Sequence, residues 1–281
     1  MPTITQAPVA GECHQIAPGV RRLTAPNPSA MTGAGTNTYI VGTHDTVVID
    51  PGVADAAHLA AIEAHAPGPI RDILITHKHP DHTGGAVELG ARTGAPVRAE
   101  AMPLTGVFDP DFQVDATIAR DEVIRCGEMT LAAVYTPGHT PDHLCFLLRE
   151  QGLLFAGDAV MADVTVVIIP PDGDMRTYFD TLDTLRDVPM QAIAPGHGRV
   201  LHAPAAEIEA IIVHRRQREA QVLTLLADGA ASAGELAARI YPQVPADLRG
   251  MARAQLTAHL RKLEADGRVH SVAAGRWMLY A

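Results

Sequence analysis

Short runs of apolar residues alternate with stretches of helical apolar spacing between residues 19 and 194. The runs predict β-strands, and the spaced stretches predict α-helices. The predicted strands are 19–24, 38–41, 46–50, 73–75, 97–99, 122–126, 129–135, 143–148, 152–156 and 191–194. The predicted helices are 54–64, 83–92 and 174–186. Two sets of strands, each followed by helices, predict an αββα sandwich of the α/β class, with helices outside two packed sheets.

The pattern changes from about residue 203 onward, where helices replace the strands. Ser232 and Glu235 form a predicted capping box for a short helix, and Gly267 ends the last helix. The predicted helices are 205–227, a short one from 232, and 246–266, and the predicted hairpin strands are 269–272 and 276–280. Three helices followed by a two-stranded wing predict a small winged-helix domain. The chain therefore divides into a catalytic domain, 1–203, and a C-terminal domain, 204–281.

One stretch contains four possible metal ligands within seven residues. It is Thr76-His77-Lys78-His79-Pro80-Asp81-His82, which follows a buried strand and precedes a helix. Loops at the carboxyl ends of such strands are where α/β proteins place their sites. Alternate residues of an extended loop point to one side, so His77 and His79 can share a metal while Asp81 and His82 face a second position. Imidazole and carboxylate ligands both suit zinc. Four ligands so close together can hardly all serve one tetrahedral ion.

Three further candidate ligands follow later strands. His139 comes after Pro-Gly, Asp158 comes after Gly157, and His197 lies in Pro-Gly-His-Gly. Glycine beside a ligand lets the backbone turn tightly and approach a metal. The set then divides into His77, His79 and His139 for one zinc, Asp81, His82 and His197 for the other, and Asp158 as a bridge. An earlier strand ends at Asp50, which we expect to orient the histidine loop.

This set, HxHxDH followed by a His, an Asp and a final His, resembles that of the metallo-β-lactamase superfamily over about residues 15–200. Residues 27–33, 35–39, the Gly157-Asp158 segment and the winged-helix tail resemble the β-lactamase-like-protein-2 subfamily more narrowly. Its members include a mitochondrial endoribonuclease and, more distantly, acyl-carrier-protein thioesterases. The resemblance also implies that class B β-lactamases lack the bridging Asp, which disfavours a physiological β-lactamase. Weak promiscuous lactamase activity stays open.

The expected mechanism follows from two bound metals. Two zinc ions about 3.5–4 Å apart lower the pKa of a bridging water toward about 7, and the resulting hydroxide attacks the substrate. Asp81 and His82 are the expected catalytic residues, and manganese or iron could replace zinc. Other side chains that could contact substrate are Lys78, His143, Tyr178 and Thr165, and residues 101–120 could form a flap.

Charge and composition limit the classes of molecule that the protein is expected to bind. The net charge is −10, which opposes non-specific binding to nucleic acid or anionic membranes. Residues 217–281 differ, because they carry eight Lys/Arg and six Asp/Glu, a net +2. Three cysteines without paired spacing indicate a reducing compartment. With neither a leader sequence nor a membrane segment visible, we expect a cytoplasmic protein.

The favoured substrate is a small ester, thioester or related carbonyl compound, for which an acidic surface is no obstacle. A single-strand-specific endoribonuclease is the main alternative, with the C-terminal domain binding RNA through clustered cations. A non-enzymatic winged-helix regulator and a homodimer also stay open. The candidate RNA-contact residues are Arg249, Arg253, Arg261, Lys262, Arg268 and Arg276, with Trp277 and Tyr280 for base stacking.

Overall fold

Two packed β-sheets form the centre of the molecule in the computed structural model, which describes residues 7–108, 112–162 and 165–280. In the first sheet the strands lie side by side in chain order. They are β1 (Cys13–Ala17), β2 (Val20–Thr24), β3 (Asn37–Gly42), β4 (Thr46–Ile49), β5 (Ile70–Leu74), β6 (Val97–Ala99) and β7 (Ala116–Thr117). The second sheet has the order β12-β11-β10-β9-β8. These strands are β8 (Val123–Cys126), β9 (Met129–Tyr135), β10 (Leu144–Leu148), β11 (Leu153–Gly157) and β12 (Ala192–Pro195).

Helices cover both outer faces of this pair of sheets. Helices α1 (Ala56–His65) and α3 (Ala86–Thr93) cover the first sheet, and α4 (Met175–Asp187) and the start of α5 (Pro204–Leu226) cover the second. The other helices are α2 (Pro80–Thr83), α6 (Ala233–Ile240) and α7 (Arg249–Ala265). Asp55 and Asp174 cap α1 and α4 by accepting backbone N–H bonds. Three short strands complete the C-terminal domain: β13 (Ala231–Ser232), β14 (Val269–Val272) and β15 (Arg276–Leu279). Together these elements confirm the predicted αββα sandwich with a C-terminal winged helix.

Side chains of the central strands alternate between two apolar layers. In β10, Phe146 packs between the two sheets, whereas Cys145 and Leu147 pack under the helices of the second sheet. In β3, Val41 points between the sheets and Ile40 points toward α1 and α3. Successive residues of a strand face opposite sides, so a strand buried on both faces must be apolar throughout. This explains why the central strands are continuous apolar runs in the sequence.

The long helix α5 belongs to two cores at once. Near its start, Ile208 and Ile212 pack with the α4 residues on the outer face of the second sheet. Near its end, Val222 and Leu226 pack in the core of the C-terminal domain. The predicted capping box is present, because Ser232 and Glu235 each accept the other's backbone N–H bond. The domain boundary at 203/204 stays a prediction, since the helix that follows it contributes to both cores.

Several local expectations differ from the structure. Strands β1 and β7 were not expected, because the first is mostly polar and the second is a two-residue edge strand. The predicted helix at 83–92 is α3, and a separate short helix, α2, lies before it within the histidine loop. Within the predicted flap, residues 109–111 lie outside the described residues. No helix of the described chain combines the length and the hydropathy needed to cross a membrane.

Candidate metal centre

The structure brings all seven predicted ligands together at one edge of the sandwich. The loop after β5 and the start of α2 carry His77, His79, Asp81 and His82, and other loops carry the remaining three. Hydrogen bonds join the two sheets at this edge, since the Leu144 N–H donates to the Thr76 carbonyl at 2.8 Å. Three groups have donor atoms within 4.8 Å of one another. They are His77/His79/His139, His77/His82/Asp158 and Asp81/His82/His197.

Three imidazole nitrogens converge at the first position. The Nδ1 atom of His79 lies 3.0 Å from His77 Nε2 and 3.1 Å from His139 Nε2. His139 donates its other ring N–H to the Val167 carbonyl at 2.7 Å, so its Nε2 carries a lone pair. Nitrogens of several imidazoles this close, with lone pairs turned inward, match one face of a tetrahedral metal ion.

The tautomer of His77 is fixed in the same way. The Thr76 hydroxyl gives its hydrogen to Asp50 Oδ2 at 2.7 Å, so it can only accept from His77 Nδ1, 3.1 Å away. The Nε2 atom of His77 therefore also presents a lone pair to the first position. Burial and the neighbouring imidazoles hold the pKa of His77 well below its usual range, which keeps this ring neutral. A neutral ring is the form that binds a metal.

The second position is bounded by two imidazoles and two carboxylates. His82 Nε2 lies 3.5 Å from Asp81 Oδ2 and 3.5 Å from Asp158 Oδ1. His197 Nε2 lies 3.2 Å from Asp81 Oδ2, while its Nδ1 faces the Gly35 carbonyl at 3.3 Å. The buried atoms His82 Nε2 and Asp158 Oδ1 have no hydrogen-bond partner among the described residues. A cation at this position would satisfy both.

Asp158 faces both positions, as the predicted bridge requires. Its Oδ1 atom lies 3.5 Å from His197 Nε2, and its Oδ2 atom lies 3.7 Å from His139 Nε2. Its backbone N–H donates to His143 Nε2 at 3.1 Å. The preceding Gly157 has φ +45°, and a Cβ there would lie 2.6 Å from Thr76 Oγ1. Only glycine therefore brings Asp158 this close to the histidine loop.

Asp50 holds the histidine loop from behind. Its Oδ1 accepts the Thr76 N–H at 2.8 Å, and its Oδ2 accepts the His82 Nδ1–H at 2.9 Å. The residue is buried and has a positive φ of 50°, which is uncommon outside glycine. Because Nδ1 of His82 donates to Asp50, Nε2 is the ring nitrogen that faces the second position. The structure thus gives Asp50 the orienting contacts that the sequence predicted.

The donor chemistry fits divalent metal ions. Five imidazoles and two carboxylates offer nitrogen and oxygen atoms only, which suits zinc, manganese or iron. Burial lowers the pKa of His82, but the carboxylates of Asp81, Asp50 and Asp158 together raise it to about 10. In the metal-free protein, a proton on His82 therefore supplies the positive charge that the three carboxylates favour.

We expect metal binding to release this proton. With a pKa of about 10, His82 is protonated at pH 7 in the metal-free protein, yet a ligand must be neutral. Binding at the second position should release about one proton from His82, and metal affinity should rise with pH over the range 6–8. Calorimetry in buffers of different ionisation enthalpy measures the number released.

The matched variant is His82→Asn, which should release about one proton fewer than the wild type at pH 7. Heats that do not depend on the buffer in the wild type would contradict the charge arrangement at the second position.

A largely apolar cleft of about 500 Å³ opens above the ligands. His79, Asp81, His139, Asp158 and His197 form its polar floor. The apolar walls come from Met31, Val107, Met161, Val167, Ile169, Pro170 and Pro171. The predicted flap contributes Gly106 and Val107, and Asp172 holds this segment by accepting the Thr105 N–H at 2.9 Å. Asp172 thus ties two walls of the cleft to each other.

The four additional candidates for substrate contact do not line this cleft. The Lys78 ammonium donates to the Met102 carbonyl at 2.6 Å. His143 is fully buried, and besides accepting from Asp158 it faces the Thr136 hydroxyl at 2.9 Å. Tyr178 is buried, with its hydroxyl bonded to the Ala159 carbonyl. Thr165 lines a different cavity, between the two domains. None of the four side chains therefore belongs to the cleft lining, and the structure gives no support for their contact with substrate.

Two contacts of the ligands were missed in the sequence. The Thr36 hydroxyl donates to Asp81 Oδ2 at 3.3 Å, and the Val167 carbonyl accepts from His139. Asp142 was also missed, although it lies between His139 and His143 and accepts the Lys78 N–H at 3.0 Å. A backbone carbonyl has no residue signature, so nothing in the sequence could have indicated Val167.

Part of the predicted RNA-contact set is occupied by bonds within the protein. Lys262 pairs with Glu219 at 2.8 Å and with Asp266 at 2.9 Å. Arg276 pairs with Glu235 at 3.0 Å. Trp277 packs against the core of the C-terminal domain instead of presenting an open stacking face. These contacts reduce the cationic surface that the ribonuclease alternative requires.

Known proteins resemble the chain over nearly its whole length. Residues 31–197 match the profile described as the metallo-beta-lactamase superfamily, and residues 232–277 match the beta-lactamase associated winged helix domain. The beta-lactamase-like protein 2 homolog of Drosophila melanogaster is 32% identical over an alignment of 275 positions, which covers 90% of this chain and 92% of that protein. The atrochrysone carboxyl ACP thioesterase of Aspergillus fumigatus is 33% identical over an alignment of 253 positions, which covers 84% of this chain and 78% of that protein.

A solved structure shows the same fold. The metallo-beta-lactamase family protein from Thermus thermophilus superposes with a TM-score of 0.77 at 24% sequence identity. The match covers 95% of this chain and 100% of that one. The likeness therefore includes the C-terminal domain as well as the sandwich.

Proposed function

Because the chain belongs to the metallo-beta-lactamase superfamily of hydrolases, we propose that it hydrolyses thioesters with an apolar acyl group, using two zinc ions. The observation that carries the proposal is the position of the donor cluster at the floor of an apolar cleft. The A. fumigatus relative, whose name is that of a thioesterase, supports the same substrate class.

The cleft walls suit an acyl chain or an aromatic acyl group. Met161, Val107 and Ile169 offer apolar surface on separate segments of the chain. Burying such a group is favourable by about 25 cal/mol per Å² of apolar area removed from water. The acyl part would therefore bind along the walls, with its carbonyl over the polar floor.

Seven side chains would hold the metals as predicted, with Asp158 shared between the two positions. Bound divalent ions would supply Lewis acidity toward the carbonyl and would lower the pKa of the attacking water. Zinc is proposed because imidazoles dominate the donor set. In the reaction the water oxygen bonds to the carbonyl carbon and the carbon–sulfur bond breaks. The leaving thiolate takes up the proton that the water gives up, so the products are a carboxylic acid and a thiol.

Asp81 is the group best placed to orient the water. Its side chain is 30% exposed toward the cleft, whereas His82 is fully buried. Burial raises the pKa of Asp81, but His82 and His197 lower it well below its usual range. In the metal-free protein Asp81 is therefore ionised, and a carboxylate can accept a hydrogen bond from a water. Thr36 donates to the same carboxylate and fixes its orientation.

Thioester hydrolysis is expected from the zinc-loaded protein. Acyl-coenzyme A and acyl-N-acetylcysteamine substrates would be compared across short, long and aromatic acyl groups, with the released thiol measured. We expect kcat/KM to rise with the apolar area of the acyl group, because each added methylene can gain about 0.8 kcal/mol of burial. Asp81→Ala should lower the rate on the order of 10²-fold or more, since it removes the orienting group.

The control that tests the cleft is Ile169→Asn, which leaves the ligands in place and should lower kcat/KM for long acyl groups more than for acetyl. Absence of thioester hydrolysis with both metals bound would contradict the proposal. Cleavage of single-stranded RNA by the same preparation, lost in Asp81→Ala, would favour the ribonuclease alternative instead.

A further inference from the structure

The segment 165–168 separates the cleft from the C-terminal helices. On the cleft side, the Val167 carbonyl accepts the Nδ1–H of His139 at 2.7 Å, and Val167 lines the cleft wall. This bond fixes which ring nitrogen of His139 faces the first metal position. The backbone of segment 165–168 is therefore a direct partner of a predicted metal ligand.

The backbone groups on either side of that carbonyl are held by the C-terminal helices. The Ile168 N–H donates to Gln255 Oε1 of α7 at 2.7 Å. The Val166 carbonyl accepts from Arg215 Nη2 of α5. Gln255 is 8% exposed and Arg215 is 1% exposed, so water does not compete for either bond. Three consecutive residues thus connect His139 to Arg215 and Gln255, which follow it by more than 70 positions in the chain.

Apolar packing reinforces the same connection. Val166 and Ile168 share one core cluster with Ile212 of α5 and Ala258 of α7. Because this layer is close-packed, the segment cannot move away from the helices without opening a cavity. A buried Ile168 N–H that lost its acceptor would also carry an uncompensated desolvation cost. Polar and apolar contacts therefore hold the segment in one place.

The contact with segment 165–168 occupies a face of α7 that a nucleic-acid-binding helix would leave free. Gln255, Ala258 and Lys262 lie three and four residues apart, so they share one face of the helix. Ala258 packs into the core of the catalytic domain, and the Lys262 ammonium lies 4.9 Å from the centre of the Phe179 ring. The catalytic domain covers this face, which has a partner within the protein.

We propose that Gln255 and Arg215 are positioning residues for the metal centre, acting on His139 through the backbone of Val166, Val167 and Ile168. The C-terminal domain then helps to set the geometry of the metal centre. The inference rests on the proposed metal ligands, but it is independent of the thioester substrate. It is therefore tested without any substrate.

The experiment compares Gln255→Met with Gln255→Glu in the full-length protein. Methionine has a similar volume but no oxygen to accept the Ile168 N–H, whereas glutamate keeps the acceptor. The Gln255 Nε2 atom has no partner among the described residues, so its replacement by oxygen removes no bond. Metal affinity would be measured by competition with a chromophoric chelator, and ligand geometry from the visible spectrum of the cobalt(II)-substituted protein.

Gln255→Met should weaken one of the two metal equivalents by on the order of 3–10-fold and alter the cobalt spectrum. This is less than the 10–100-fold loss typical when a direct partner of a ligand is removed, because Gln255 acts one step further away. Gln255→Glu should stay within about 2-fold of the wild type. Thr257→Ala, which removes a hydroxyl bonded within the same helix to the Arg253 carbonyl at 2.9 Å, should leave both affinities and the spectrum unchanged.

Wild-type affinity and an unchanged cobalt spectrum in folded Gln255→Met would overturn the proposal. A merely structural role would lower the melting temperature without altering the spectrum of the folded fraction. If Gln255→Met does not fold, hydrogen exchange in the wild-type protein tests the proposal instead. Zinc loading should then slow exchange at the Ile168 amide, and an exchange rate that ignores zinc would equally overturn the proposal.

Discussion

Asp158→Ala is expected to remove about 10³-fold of the hydrolytic rate and to lower the metal content of the purified protein. The carboxylate faces both metal positions, at 3.5 Å from His197 Nε2 and 3.7 Å from His139 Nε2. Metal-ion Lewis acidity stabilises a transition state by several kcal/mol, and each 1.4 kcal/mol is a tenfold change in rate. Losing the shared ligand should therefore cost about three factors of ten.

The matched variant is Asp158→Asn, which keeps the size of the side chain and one oxygen but loses the charge. It should retain more metal than Asp158→Ala and less than the wild type, because one of its two ligand atoms remains an oxygen. Metal per chain from elemental analysis and thioester turnover would be measured on the same samples. Two metal equivalents and full turnover in Asp158→Ala would exclude a bridging role.

Asp50→Ala should damage both stability and metal binding, although Asp50 is not a predicted ligand. Its carboxylate accepts from Thr76 N–H, Thr76 Oγ1–H and His82 Nδ1–H, at 2.8, 2.7 and 2.9 Å. Truncation leaves these buried donors without an acceptor, which should lower the free energy of unfolding by about 3–5 kcal/mol. Metal affinity should fall by about 10–100-fold, because the orientation of His82 is lost.

Asp50→Asn separates the two effects. Asparagine tolerates a positive φ, and its oxygen can still accept the Thr76 N–H. Its amide nitrogen would then face His82 Nδ1 and favour the tautomer with the proton on Nε2, which blocks the metal position. We expect most of the stability to be kept and most of the metal affinity to be lost. Unchanged zinc affinity in Asp50→Asn would show that the tautomer of His82 is not set by this carboxylate.

Those parts of the molecule that follow from side-chain pattern could be predicted from the sequence. The continuous apolar strands specify layers buried on both faces, and the glycine before Asp158 marks a close approach of the backbone. His77 and His79 lie on one side of an extended loop, so their shared position followed from the alternation of the backbone. The grouping of His139 and His197 with them followed once seven ligands could complete two positions.

Contacts that depend on backbone groups or on the distance between helices could not be predicted in this way. Gln255 and Lys262 are polar residues on an amphipathic helix, a pattern typical of a solvated face, yet both contact other parts of the protein. Tyr178 was a candidate for substrate contact, but its ring is buried, with its centre 5.3 Å from the guanidinium carbon of Arg215. Such pairings are set by tertiary packing, which periodicity does not encode.

Helix α5 is shared by the catalytic core and the winged helix, which limits where the two domains can be separated. Ile208 and Ile212 cover the α4 layer of the catalytic core, and the same helix then supplies Val222 and Leu226 to the winged helix. A fragment cut before α5 would expose that apolar layer and lose the Arg215 contact to Val166. The module that recombination could transplant is therefore larger than the winged helix. A chimera should keep α5 with the sandwich, and the winged helix joined beyond Leu226 should restore both the packing on Val222 and the bond from the Ile168 N–H to Gln255.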